Sequence, residues 1–137
     1  MILNKILPET NELIRYFEVN KYIHKPFKDC SSGMKKKVQI IVSLTGEIDT
    51  IIWDEPNNGL DIVSNIKIKN ILNYYKSKNK TILFSSHVIE FFSNFIDHCI
   101  LLNEGEIIEN VDIMNIKNLE SLFLKNLPDN KFIFDDN

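Results

Sequence analysis

The chain is 137 residues long, enough for one domain, and its 44% hydrophobic and 26% charged residues are the composition of a folded core, which excludes wholesale disorder. A formal net charge of -3 argues against a nucleic-acid binder held by a general basic field. Cys30 and Cys99 lie far apart without CxxC spacing, which predicts reduced thiols in a cytosolic protein, and no apolar run approaches the roughly 20 residues that cross a bilayer.

Met1 to Pro8 is too short for the apolar core of a signal peptide. Pro8-Glu9-Thr10-Asn11 is a helix-start signal, and Leu13, Ile14 and Phe17 share one helical face, so a short helix is predicted there. Tyr22 to Phe27 breaks it. His24 has no second His, Cys or carboxylate pair at metal spacing and reads as a surface residue. Ser31 and Ser32 are good N-caps, and a helix is predicted to follow from Gly33 to Leu44 with Val38, Ile41, Val42 and Leu44 toward the core. The free N–H groups and positive dipole end at its start suit an anion, and Ser31 adds a hydroxyl donor. Ser31 could equally do no more than cap the helix, with Lys35 to Lys37 as a solvated face.

Asp49 to Trp53 is short, β-branched and aromatic, and Pro56, Asn57, Asn58 and Gly59 follow it closely; the pattern predicts a buried strand running into a loop. Asp54 and Glu55 then fall at the strand's C-terminal end, the edge where open α/β sheets bind ligands. A carboxylate there can hold a hard cation such as Mg²⁺ while its neighbour orients or deprotonates a water. Asp61 is placed to cap a helix through Ile62, Val63, Ile66, Ile71, Leu72 and Tyr75 to about Lys78. Thr81 to Phe84 is a second buried strand, so strand, helix, strand implies a parallel pair joined by a crossover. His87 follows at the same sheet edge as Asp54, where an imidazole could donate to a phosphate oxygen or simply be satisfied at a helix start. Val88 to Phe95 reads as a helix. Cys99 to Leu102 is a strand that turns at Asn103-Glu104-Gly105 into Glu106-Ile107-Ile108, a hairpin expected to close the sheet. His98 and Cys99 read as strand residues, not ligands. Asp112 to Lys125 has helical spacing, and Pro128 to Asn137 is an acidic tail.

Four stretches in this order, CSSGM at Cys30 to Met34, IIWDE at Ile51 to Glu55, NGLD at Asn58 to Asp61 and SSH at Ser85 to His87, resemble the C-terminal half of an ATP-binding cassette (ABC) nucleotide-binding domain. The resemblance makes them the signature loop, Walker B, D-loop and switch-histidine loop. It implies an α/β fold: a partial P-loop NTPase core of ABC type with a mainly parallel sheet, a C-terminal β-hairpin and flanking helices. Residues 1–45 would be the end of the helical subdomain with the signature helix, 46–125 the Walker B, D-loop and switch-histidine core, and 126–137 the tail. It further implies ATP and Mg²⁺ as cofactors, with Asp54 at the metal and Glu55 polarising the attacking water. His87 would contact the γ-phosphate, while Ser31, Ser32 and Gly33 would embrace the ATP of an opposing subunit. Asp61 would couple the two sites of a head-to-tail dimer. The implied setting is the cytoplasmic face of the cell membrane, bound to a permease, with no nucleic acid as partner. Against the family pattern, Ser32 stands for the commoner first glycine and Met34 for the commoner glutamine.

A phosphate-wrapping Walker A loop needs G-x-x-x-x-G-K-[ST], and the glycines here, Gly33, Gly46, Gly59 and Gly105, have no such spacing. The expectation is therefore a domain begun partway through its helical subdomain: a fragment, one half of a split protein completed by a complementary segment or subunit that carries Walker A, or a degenerate remnant. A helix N-terminus contributes about 0.3 to 1 kcal/mol to a nearby anion, up to about 2 when partly buried, whereas micromolar affinity takes about 8 kcal/mol. The signature and His87 cannot hold ATP tightly by themselves. The competing expectation is a degenerate, non-catalytic interaction or regulatory module that keeps the fold without turnover.

Overall fold

The structure is a computed structural model that describes residues 8–88, 95–115 and 119–126. The chain divides into two compact units, Met1–His87 and Val88–Asn137.

In the first unit, helix α1 (Pro8–Tyr16) leads through two single-turn 3-10 helices, Val19–Lys21 and Phe27–Asp29, to helix α2 (Ser32–Ser43). Strand β1 (Thr50–Trp53), helix α3 (Ile62–Ser77) and strand β2 (Thr81–Phe84) follow, and β1 and β2 pair in parallel with Thr50 opposite Thr81 and Trp53 opposite Phe84. The predicted parallel pair is present, and α3 is the crossover that parallel strands require. Its buried residues Ser64, Ile68, Ile71 and Leu72 recur three and four apart and form one buried stripe, apolar from Ile68 onward. They share a core with Phe17 and Val19 behind α1, Ile40, Ile41 and Leu44 on α2, and Ile51 and Trp53 on β1. The Trp53 ring N–H donates to the Ser43 hydroxyl at 2.8 Å, so the largest core side chain of β1 keeps a partner for its one polar atom. His24 is exposed, as expected.

The phase of α2 differs from expectation. Val42 is exposed and Ile40 is buried in its place. Residues 40, 41 and 44 lie within one side of a helix turning about 100° per residue, and Val42 falls off that side. The helix is held in this phase from its start, as described below.

On the other face of the parallel pair, Ile52 is 71% exposed and its register partner Leu83 is 56% exposed. Each strand also pairs with a single neighbour among the described residues. An apolar face flanked by unpaired strand edges invites association. The isolated chain is therefore expected to self-associate, with Ile52→Lys combined with Leu83→Lys shifting it toward monomer. Sedimentation velocity over a rising concentration series checks this, and a wild-type chain that stays monomeric throughout counts against it.

In the second unit, β3 (His98–Asn103) and β4 (Glu106–Asp112) form an antiparallel hairpin, a two-stranded sheet of its own. The turn is Glu104-Gly105, both at positive φ (49° and 84°), the backbone of a tight two-residue hairpin turn whose twist matches the strands. β4 runs past the expected end at Ile108 to Asp112, because Glu109, Asn110, Val111 and Asp112 pair with Leu101, Ile100, Cys99 and His98 across a bulge between Leu101 and Leu102. His98 binds Asp112 through Nδ1 and Asn110 through Nε2; these bonds, with Asp112 first, raise its pKa above the usual histidine value. Burial pushes the Cys99 thiol up. The helix expected from Asp112 begins later: a 3-10 turn occupies Ile113–Asn115, and helix α4 spans Leu119–Asn126. Most of the expected helix from Val88 to Phe95, and the whole acidic tail from Pro128, lie outside the described residues.

Candidate functional site

Parallel pairing in register makes the residues that follow β1 and β2 neighbours. The Ser85 N–H continues the ladder by donating to the Trp53 carbonyl at 3.0 Å. The Ser85 hydroxyl donates to the Asp54 carboxylate through Oδ1. The Ser85 Oγ in turn accepts the Glu55 N–H at 3.0 Å. Two residues further, His87 Nδ1 lies 2.7 Å from Glu55 Oε1. Glu55 sits at φ 45°, a left-handed conformation that is uncommon away from glycine. Its second oxygen, Oε2, is shielded from solvent and has no hydrogen-bond partner in the structure. A buried carboxylate oxygen is costly to leave without a donor, so this atom suits a water or a ligand proton.

A second group of predicted residues gathers around the start of α2. Ser31 is its N-cap, and its Oγ accepts the Met34 N–H at 3.3 Å, so capping is an observed role of this serine. Gly33 lies so close to the loop after β1 that a Cβ would stand 3.0 Å from the Gly59 carbonyl oxygen, and Gly59 itself has φ 76°. The two glycines let that loop press against the helix start. Asp61 caps α3, accepting the Ser64 N–H at 2.7 Å through Oδ1, and its Oδ2 lies 3.6 Å from Lys37 Nζ. The Ser64 bonds, ahead of Lys37, hold the Asp61 carboxyl below its usual range. Lys36 donates to the Asp54 carbonyl at 3.1 Å, and Lys35 to the Lys28 carbonyl at 3.3 Å. The lysines thus pin α2 at several points where a solvated face was the simpler expectation. Ser32 is exposed at the same helix start.

Replacing Asp61 by Ala is expected to lower stability by about 1 kcal/mol at neutral pH through loss of the cap. Because the folded-state pKa is depressed, this contribution is present above the ordinary Asp value and is lost as pH falls through the lower folded value. Urea midpoints of the two proteins should therefore differ at pH 7 and converge in strong acid; a difference that persists there would contradict the capping account.

The residues present fit a metal in one limited way. Among the described residues no three His, Cys, Asp or Glu side chains converge as ligands. Asp54 is exposed with one carboxylate oxygen engaged by Ser85, which leaves the other for a cation that takes the rest of its ligands from phosphates and water, as Mg²⁺ does. The hollow beside Asp54, with Lys36, Ser43 and Trp53 in its wall, has a volume of about 180 Å³. That is below the roughly 300 Å³ at which small-molecule pockets begin. The hollow is too small to enclose a small molecule by itself.

Sequence reasoning placed Asp54, Glu55 and His87 at one edge, and the structure brings them together. It gave Ser85 no role of its own. The available signal was its position, first after β2 and level with Asp54 in a parallel pair.

No protein-family model matches the sequence. The ABC transporter ATP-binding protein NatA of Bacillus subtilis is 34% identical over 105 residues, 77% of this chain and 43% of NatA. The lantibiotic transport ATP-binding protein SrtF of Streptococcus pyogenes is 35% identical over 99 residues, 72% of this chain and 43% of SrtF. A solved ATP-binding subunit of an ABC transporter superposes with a TM-score of 0.72 at 26% identity, over 85% of this chain and 48% of that one. The chain thus spans less than half the length of these proteins.

Proposed function

The chain is homologous to ABC transporter ATP-binding proteins and shares their α/β P-loop NTPase fold over less than half their length, and from that premise we propose that it contributes the signature, Walker B, D-loop and switch histidine to an ATPase site that drives transport through a membrane permease. The observation that carries this reading is the 2.7 Å link between Glu55 and His87, beside Asp54, at the C-terminal edge of the parallel pair. Bound MgATP would supply the phosphoryl group and the cation's charge. Asp54 offers its free carboxylate oxygen to the metal. Glu55 uses its unpartnered Oε2 to orient and polarise the attacking water. His87, anchored through Nδ1 by Glu55, would have its other ring nitrogen available to a γ-phosphate oxygen. Ser31, Ser32 and Gly33 face the ATP of an opposing subunit in a head-to-tail dimer, and Asp61, tied to α2 through Lys37, carries the state of one site to the other. On this reading residues 1–125 would make up a partial nucleotide-binding domain. No helix of the described residues is long and apolar enough to cross a membrane; a setting at the cytoplasmic face would come from binding the permease.

The division of labour predicts the assay. The 137-residue chain, which contains no G-x-x-x-x-G-K-[ST] sequence, should release phosphate from MgATP at background rate. A complex completed by a segment bearing that loop should hydrolyse it, and His87→Ala in the complex should lower the rate. Hydrolysis by the purified chain alone would overturn the split-site account. A completed complex that binds MgATP without turnover would favour a non-catalytic module.

A further inference from the structure

We propose that Ser85 is the positioning residue of this edge, its one hydroxyl setting the placement of both carboxylates. The proposal rests on the functional reading above for its kinetic consequence, but its geometry does not. A serine hydroxyl has one donor and two acceptor lone pairs. Here the donor is committed to Asp54 Oδ1 and one lone pair to the Glu55 N–H, while the serine's own N–H is held by the Trp53 carbonyl. The hydroxyl is thereby fixed by β2 and reads out onto two consecutive residues of the β1 end.

Each bond has a separate consequence. The bond to the Glu55 amide falls at the residue with φ 45°, and so supports a backbone conformation that a glutamate does not adopt readily. The Glu55 side chain reaches the segment after β2, where Oε1 meets His87 and Oε2 is left shielded without a partner. The bond to Asp54 takes one carboxylate oxygen and fixes the plane of the other. A cation approaching there finds a single oxygen in a set orientation, which suits an ion that keeps waters and phosphate oxygens as its remaining ligands. Ser85 touches neither metal nor water in this scheme, and acts through Asp54 and Glu55.

Ser85 is exposed, so truncation leaves no cavity and Ser85→Ala is expected to fold. Ser85→Thr retains the hydroxyl at a position where a β-branched residue fits a strand end. In nitrogen-15 spectra of the full chain, the Glu55 amide should shift and exchange faster in Ser85→Ala, and should match wild type in Ser85→Thr. In the complex with a Walker A-bearing segment, Ser85→Ala should lower kcat for MgATP roughly 10- to 100-fold, the scale of a misplaced catalytic group. KM should stay within about twofold, as for an interaction felt in the transition state alone, and Ser85→Thr should restore kcat. An unchanged Glu55 amide in Ser85→Ala overturns the proposal. So does an unchanged kcat in a complex that Glu55→Gln inactivates, or a loss that Thr does not restore. A Glu55→Gln complex that remains active overturns the functional reading instead, and the amide measurement still decides the role of Ser85.

Discussion

Glu55→Gln, placed in the chain and completed with a Walker A-bearing segment, is expected to bind MgATP normally and to release phosphate roughly 10²- to 10⁴-fold more slowly, the range that a positioned general base contributes. Glutamine keeps the length and planarity of the side chain and can still meet His87. It removes the charge and the basic lone pairs from the Oε2 position, which has no other partner in the structure. An interaction realised mainly in the transition state lowers kcat while leaving ground-state binding in place. The measurement is single-turnover phosphate release alongside nucleotide binding by equilibrium dialysis. Full activity in the Gln variant would remove Glu55 from the water-orienting role, and loss of binding together with turnover would make its role structural.

The largest stability effect is expected at Leu72. Ile68 and Leu72 are one helical turn apart on α3 and both are 0% exposed. Leu72→Ala removes buried methyl groups and leaves a void between elements that cannot fully close, at a cost of about 2 to 5 kcal/mol. Domains of this size have roughly 5 to 15 kcal/mol in total, so the variant should lose much of its urea resistance or fail to fold. Ile62→Ala is the control from the same helix. Ile62 is 79% exposed, and its truncation should change stability by less than about 0.5 kcal/mol. Equal losses at the two positions would mean that the exposed face of α3 is covered in solution.

The two positions also show what could be read in advance. The parallel pair was legible because β1 and β2 are short apolar runs bounded by turn residues and separated by one helix length, and Asp54, Glu55 and His87 followed from where those strands end. Ser31 and Asp61 were legible as caps because their chemistry is local, reaching only to Met34 and Ser64. What stayed hidden depends on partners distant in sequence. The phase of α2, which buries Ile40 and exposes Val42, is tied to Lys36 and Lys37 meeting Asp54 and Asp61, 18 residues away in the first case. Ser85 takes its meaning from residues 31 and 30 positions upstream. The length of β4 is fixed by a ladder in which His98 holds Asp112 and Asn110, an arrangement that apolar alternation cannot report.

The indole bonded to Ser43 gives this chain a built-in optical reporter. Trp53 is its single tryptophan and the residue immediately before Asp54. Shielded from solvent and held by one hydroxyl of α2, it emits from one environment, so its spectrum needs no deconvolution. Anything that draws the end of β1 away from α2 must break that bond and wet the ring, shifting the emission to longer wavelength. A separation of the end of β1 from α2 can thus be followed in real time by intrinsic fluorescence, without a dye or an engineered label.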